Sequence, residues 1–220
     1  MDYRTERRRE MIKKNLKVLI ITSVVILLPI LVGLILWNQL PEQIPSHWNA
    51  SGEIDDWSSK PFVVFGLPLI LLAFQWICAL GTGADPKKAN HPEKIVQLVL
   101  WIIPVLSVVL SVLTYAVALG QEVRMEVVMP VLIGLILAIV GNYLPKCKQN
   151  YTIGIKIPWT LNSEENWNKT HRFAGWLWTI CGLVIMLTGF FGGFWIFFGV
   201  VLVMVFVPFI YSYILHRKGV

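Results

Sequence analysis

The sequence predicts an all-α, polytopic integral membrane protein with six transmembrane helices and both termini in the cytoplasm. Three observations carry that reading. Hydrophobic residues make up 56% of the 220 and charged residues 15%, against roughly 25% charged in soluble domains. The charges are confined to segments between uncharged runs, each close to or above the ~18 to 20 residues that cross a bilayer core. Seventeen of the nineteen Lys and Arg fall in alternate polar segments. Ten Trp and eleven Phe also exclude a disordered chain, because disorder requires few aromatic residues and many charges.

In chain order, residues 1–17 are a basic N-terminus carrying Arg4, Arg7, Arg8, Arg9, Lys13, Lys14 and Lys17. Residues 18–37 form the first span. This run is longer than a secretory leader's apolar stretch, and Pro41-Glu42-Gln43 offers no small-x-small cleavage site, so it is read as a retained helix. Residues 62–80, 96–119 and 127–144 are the next three spans. The stretch 173–215 is 43 residues without a charge, too long for one helix, and Gly189, Gly192 and Gly193 mark a tight turn near its middle. It divides into spans at 173–190 and 194–215. In hydrocarbon every backbone amide must be bonded internally, so each run is a helix rather than a strand. The chain therefore groups into a three-span module, 18–119, with an extracytoplasmic loop at 38–61, and a second, 120–220, with a cytoplasmic loop at 145–172.

Orientation follows from the basic residues. Lys87, Lys88, Lys94, Lys146, Lys148, Lys156, Lys169, Arg172, Arg217 and Lys218 share the N-terminal side, while only Lys60 and Arg124 lie opposite, which puts both termini inside. The net charge of +6 thus reads as topology, with membrane lipids of the anionic inner leaflet as partner and no direct nucleic acid binding. Cys78, Cys147 and Cys181 form no CxxC and read as packing residues. The spans hold only mild polar groups, Thr22, Ser23, Gln75, Gln97, Thr114, Thr179 and Thr188, which suit hydrogen bonds between helices better than an ion path. Pro29, Pro68, Pro104, Pro130 and Pro208 read as tolerated kinks.

Chemistry belongs in the two long loops. In the outer one Pro41 and Pro45 stiffen the entry and Gly52 marks a turn. His47, Glu53, Asp55 and Asp56 lack HxxxH or EF-hand spacing, so no metal site is expected. Trp48 and Trp57 are apolar anchors for a partner or for the membrane surface. In the inner loop Tyr151, Ile153, Ile155 and Ile157 alternate with Thr152, Gly154, Lys156 and Pro158, predicting an extended segment with one apolar face that Pro158 ends. Asn162 followed by Glu165 predicts the start of a helix. Trp167, His171, Gly175 and Trp178 then share one of its faces. No Ser or Cys nucleophile stands at a motif beside His171, so that residue is expected to be structural. No cofactor is called for.

The inner loop also resembles the signature block of the SdpI family of bacterial membrane proteins. The resemblance rests on Asn142, Pro145, Lys146, Asn150-Tyr151, Gly154-Ile155, Pro158-Trp159-Thr160-Leu161, Asn166-Trp167, Lys169-Thr170-His171-Arg172 and Gly175. The outer loop, with Leu40-Pro41, Ile44-Pro45, His47-Trp48, Gly52, Asp55 and Lys60, is similar to the N-terminal module of the same proteins. Lys156 departs from the pattern, standing where an Arg is expected, and Lys cannot make the same planar two-point contact. What the resemblance implies is immunity to a secreted, sporulation-delay type peptide toxin at the bacterial cell membrane, without catalysis. For some members it also implies sequestration of a small DNA-binding repressor. The toxin-facing candidates are His47, Trp48, Gly52, Asp55 and Trp57. The partner-binding candidates are Asn142, Pro145, Asn150, Tyr151, Gly154, Lys156, Pro158, Trp159, Thr160, Trp167, Thr170, His171, Arg172 and Gly175. The alternative is a small transporter or housekeeping membrane protein with an inverted three-plus-three repeat. Ile44-Pro45, Trp48, Trp57 and Lys60 in one half are spaced like Ile157-Pro158, Trp159, Trp167 and Lys169 in the other.

Overall fold

The computed structural model describes residues 3–87, 90–191 and 193–220; Lys88 and Gly192 lie outside them. It contains six helices long and apolar enough to cross a membrane, as the uncharged runs predicted. Their outward surfaces are apolar: Ile77, Leu187 and Val205 are each more than half exposed, an arrangement only a bilayer solvates well. The chain forms two compact units, Met1–Ala84 with Val96–Met125, and Asp85–Ile95 with Glu126–Val220.

The first unit contains α1 (Tyr3–Ile35), a hairpin of β1 (Gln43–Trp48) and β2 (Ile54–Ser59), a π-helical turn (Phe62–Gly66), α2 (Leu67–Gly83) and α3 (Glu93–Ala118). Apolar packing gathers in two places. Leu19, Ala79, Val96 and Leu100 meet in one, and Leu40, Ile44, Val63, Val64 and Tyr115 in the other, beneath the hairpin. Buried side chains add hydrogen bonds between helices. Gln75 Nε2 donates to Thr22 Oγ1 at 3.1 Å and to the Leu100 carbonyl at 2.8 Å. Ser107 Oγ donates to the Ile26 carbonyl, and the Tyr115 hydroxyl to that of Pro29. Thr22 and Gln75 thus hold helices together, as their mild polarity suggested. Pro29, Pro104, Pro130 and Pro208 lie inside unbroken helices. Pro68 instead occupies the first turn of α2, where its missing N–H costs nothing.

The second unit contains α4 (Met125–Tyr143), a 3₁₀ turn (Leu144–Lys146), α5 (Pro158–Asn162), α6 (Glu164–Phe191) and α7 (Phe194–Arg217). Glycines form the seam between α4 and α6. A Cβ on Gly182 would stand 2.6 Å from both the Ala138 nitrogen and the Gly134 oxygen. One on Gly141 would be 2.6 Å from the Thr179 nitrogen, and one on Gly189 2.8 Å from the Val127 oxygen. Backbone therefore touches backbone, the close approach that small residues allow in membranes. Beside the seam, Cys181, Ile185 and Trp178 pack against Met204 of α7 together with Ile133 and Leu137 of α4, and Trp178 Nε1 donates to the Met204 carbonyl at 3.0 Å.

Two local expectations are corrected. The helix-start cap is Ser163, not Asn162: Ser163 Oγ accepts the Asn166 N–H at 3.1 Å, and Asn162 ends the separate helix α5. Pro158, expected only to end an extended segment, is the first residue of α5, a position its fixed φ favours.

Candidate functional site

The outer loop folds because Asn49 organises its turn. Its Oδ1 accepts the N–H groups of Ser51 and Glu53, its Nδ2 donates to Glu53 Oε2, and Gly52 supplies a φ of +81°. The strands pair antiparallel, with Pro45 opposite Trp57 and Trp48 opposite Ile54, and bulges flank His47. Lys60 fixes the hairpin to the end of the first span. Its ammonium is nearly buried, donates to the carbonyls of Trp37 and Leu40, pairs with Glu42 at 2.8 Å and lies 5.0 Å from the Trp37 ring centroid. A cation is favoured there because the last carbonyls of a helix lack N–H partners.

Among the toxin-facing candidates, His47 and Asp55 meet at 2.6 Å across the hairpin. Trp48 and Trp57 do not meet, lying opposite different residues; Trp57 is 51% exposed and Trp48 half-buried. The carboxylates Glu42, Glu53, Asp55 and Asp56 are engaged by Lys60, Asn49, His47 and the Trp57 N–H respectively. Both strand edges are blunted, since Pro45 has no N–H to offer and the Trp57 N–H is taken by Asp56. Each strand therefore lacks one backbone donor for a partner strand to pair with.

The inner loop forms no strand, and the extended segment expected over Tyr151–Ile157 is corrected: residues 151–154 bend around the Asn150 side chain, leaving only 155–157 free of turns and bends. A half-buried backbone without a neighbouring strand must find other acceptors for its N–H groups, and side chains supply them. Asp85 accepts from Tyr151, Asn150 from Thr152 and Ile153, His171 from Ile155, and Thr160 from Ile157. Asn150 also donates to the carbonyls of Lys148 and Ile153, and Thr160 to those of Ile155 and Ile157. The predicted apolar face is broken at Tyr151, which is 48% exposed, because Asp85 holds its N–H and its ring lies 5.6 Å from the Lys87 ammonium.

Trp167 is the core of this block. It is wholly buried, stacks on His171 at 4.0 Å and donates from Nε1 to the Cys147 carbonyl at 2.7 Å. His171 Nε2 accepts from Ile155, so Nδ1 carries the proton and donates to the Trp167 carbonyl at 2.9 Å. Both ring nitrogens are committed to backbone. Gly154, at a φ of +119°, lets the loop cross this pair, because a Cβ there would sit 2.5 Å from His171 Nε2. Gly175 likewise admits the Pro145 ring, 2.6 Å from where its Cβ would stand.

A family model described as the SdpI/YfhL protein family matches residues 146–212. Another, described as a domain of unknown function, DUF1648, matches residues 24–72. "Immunity protein SdpI" from Bacillus subtilis (strain 168) is 30% identical over 181 residues, covering 82% of this chain and 84% of that protein. The chain belongs to the SdpI family. No solved structure matches it. It is a multi-pass membrane protein of the bacterial cell membrane, the class its six spans indicate.

Within this SdpI block six of the fourteen singled-out residues are buried, and Pro145, Tyr151 and Pro158 are among the exposed ones. Asn150, Thr160, Trp167, Thr170 and His171 are each 2% exposed or less. Thr170 donates to Asn166, Pro158 opens α5, and Trp159 packs on Phe209, Tyr213 and His216 of α7 at 5.0 to 6.1 Å. Asn142, Lys156 and Arg172 are exposed, with Lys156 Nζ donating to the Thr152 carbonyl.

Sequence reasoning missed Asp85, His91 and Gln149, and quoted Asn166 in the signature without giving it a role. The buried Asp85 carboxylate receives the N–H groups of Lys87 and Tyr151 and the Thr152 hydroxyl, and lies 3.2 Å from His91 Nε2. Burial alone raises its pKa, but those hydrogen bonds and the His91 imidazole together hold it below 3.8. Gln149 donates to the carbonyls of Thr160 and Leu161 and accepts from the Lys87 ammonium. Asn166 uses all its capacity, donating to the Ser212 and Val220 carbonyls and accepting from Thr170 and Ser212. A signal for Asp85 did exist: it is the lone acidic residue between Lys60 and Glu93, in an otherwise basic polar segment.

Proposed function

We propose that this chain is an immunity protein that protects its own membrane by binding a secreted peptide toxin, with the hairpin on the outer face and the SdpI block inside. The observation that carries the reading is 30% identity to an immunity protein across 84% of that protein's length. The hairpin supports it as the toxin-facing element, because it is rigidly mounted through Lys60 and presents the half-exposed Trp57 ring beside the His47–Asp55 pair. The inner block serves as architecture rather than chemistry: its one conspicuous acid–base group, His171, has no ring nitrogen to spare.

Orientation is tested by labelling. In sealed cells a membrane-impermeant thiol reagent should reach cysteine at Ser51 and not at Asn162, both exposed positions, in a background lacking Cys78, Cys147 and Cys181. Labelling of position 162 from outside would reverse the topology.

Toxin binding is measured on the purified chain in nanodiscs, with no ion gradient. Binding should occur, and Trp57→Ala should weaken it about thirty-fold, the loss of ~2 kcal/mol usual for an exposed aromatic anchor. If the chain bound no toxin there, yet protected cells only while the proton-motive force was intact, a transporter reading would replace this one.

A further inference from the structure

From residue 127 to 163 the chain contains no Asp or Glu, but it carries Lys146, Lys148 and Lys156. Lys87 joins them, because Asp85–Ile95 belongs to the same compact unit. A nearby carboxylate would normally neutralise such a set. Of the two carboxylates in that segment, Glu93 is itself engaged, and Asp85 has its side chain fully buried and saturated by two backbone N–H groups, the Thr152 hydroxyl and the His91 imidazole. The lysines lean instead on neutral groups. Lys87 donates to Gln149 Oε1 and lies beside the Tyr151 ring, Lys156 donates to the Thr152 carbonyl, and Lys146 sits 4.6 Å from the centroid of Tyr143. Neutral partners fix an ammonium in place without cancelling its charge, so the surface is positive and preorganised.

Its depth identifies what it meets. Lys146 is the last residue of the span Met125–Lys146, so its ammonium lies at the membrane–water boundary. Tyr143 is the last residue of α4, and the 69% exposed Trp176 follows Gly175, against which Pro145 packs, so both aromatic rings lie level with the start of the loop, as rings at the headgroup layer do. We propose that Lys87, Lys146 and Lys156 form a binding surface for the phosphate of an anionic phospholipid headgroup, held in shape by the buried Asp85. An acidic protein would dock farther out and would not need lysines at this depth.

The test uses the full chain in nanodiscs of phosphatidylcholine, alone or with a third phosphatidylglycerol. Native mass spectrometry reads which lipids stay bound, and hydrogen exchange reads residues 146–157. Wild type should retain phosphatidylglycerol preferentially and exchange more slowly at the loop when it is present. Each lysine near an anionic surface contributes roughly a five-fold preference, so Lys146→Gln with Lys156→Gln should reduce retention about twenty-fold. Lys169→Gln should change it little, because that ammonium is already paired with Glu165 at 2.7 Å. As Lys87 also supports Gln149, it is tested by contrast: Lys87→Arg should keep the preference and Lys87→Gln lose it, with both melting within a few degrees of wild type. Equal retention of the two lipids overturns the proposal. So does inorganic phosphate slowing the loop as fully in pure phosphatidylcholine, which makes this a free-anion site. Polyglutamate binding this face while phosphatidylglycerol does nothing would replace the lipid with an acidic protein.

Discussion

Gly182→Val should separate α4 from α6 and cost the second unit most of its stability. The new Cβ alone would stand 2.6 Å from the Ala138 nitrogen and from the Gly134 oxygen. Both are backbone atoms, so no side chain can swing aside. Overpacking at such a seam costs about 1–3 kcal/mol when neighbours adjust, and more when backbone must move. Gly199→Ala is the matched control: it adds a methyl in α7 where nothing lies within 4 Å. That change should be neutral or stabilise by up to about 1 kcal/mol, from helix propensity alone. Thermal melts in detergent should place Gly182→Val well below wild type and Gly199→Ala at or above it. If the two variants melt together, the glycine seam is not what holds these helices.

Trp167→Ala should be the most damaging single change in the inner loop. It removes a wholly buried indole, worth about 3–5 kcal/mol on truncation. It also strips the Cys147 carbonyl of its donor and His171 of the ring stacked at 4.0 Å. Trp176→Ala removes the same side chain from a position 69% exposed and should cost under about 1 kcal/mol, as surface changes do. Denaturant titration monitored by fluorescence ranks the two. His171→Asn should fall between them, since it keeps the fold's apolar packing but loses one of the two backbone bonds. A milder effect for Trp167→Ala than for Trp176→Ala would refute the packing described for this block.

The membrane architecture was legible because lipid imposes a length and an absence of charge that composition displays directly. Of the glycines expected to mark the turn between the last two spans, Gly193 precedes α7 as expected, but Gly189 lies inside α6 and packs on Val127 of α4. The hairpin was harder to foresee. Its strands are six residues each, one contains Pro45, and the pattern of alternation is spoiled by the bulges around His47. In the inner loop the key residues were visible by type, yet what they do was not, because Asn150, Thr160 and His171 act on backbone a few residues away. Asp85 reaches this loop from 66 positions earlier. No spacing rule anticipates a contact of that kind; only the fold brings it about. Of the seam glycines, Gly175 and Gly189 were read for other roles, and Gly134, Gly141 and Gly182 were overlooked because the periodicity sought in the spans was that of apolar residues.

Gly175, Gly182 and Gly189 stand seven residues apart on α6, and Gly134 and Gly141 seven apart on α4. A straight α-helix drifts about 20° with each such heptad. For all five to stay on the contact line, the pair has to wind around each other with a left-handed twist. That makes the register of these two helices indivisible. An insertion of one residue anywhere between Gly175 and Gly189 would turn every later glycine by about 100° away from its partner, whereas a whole added heptad would return the line to itself.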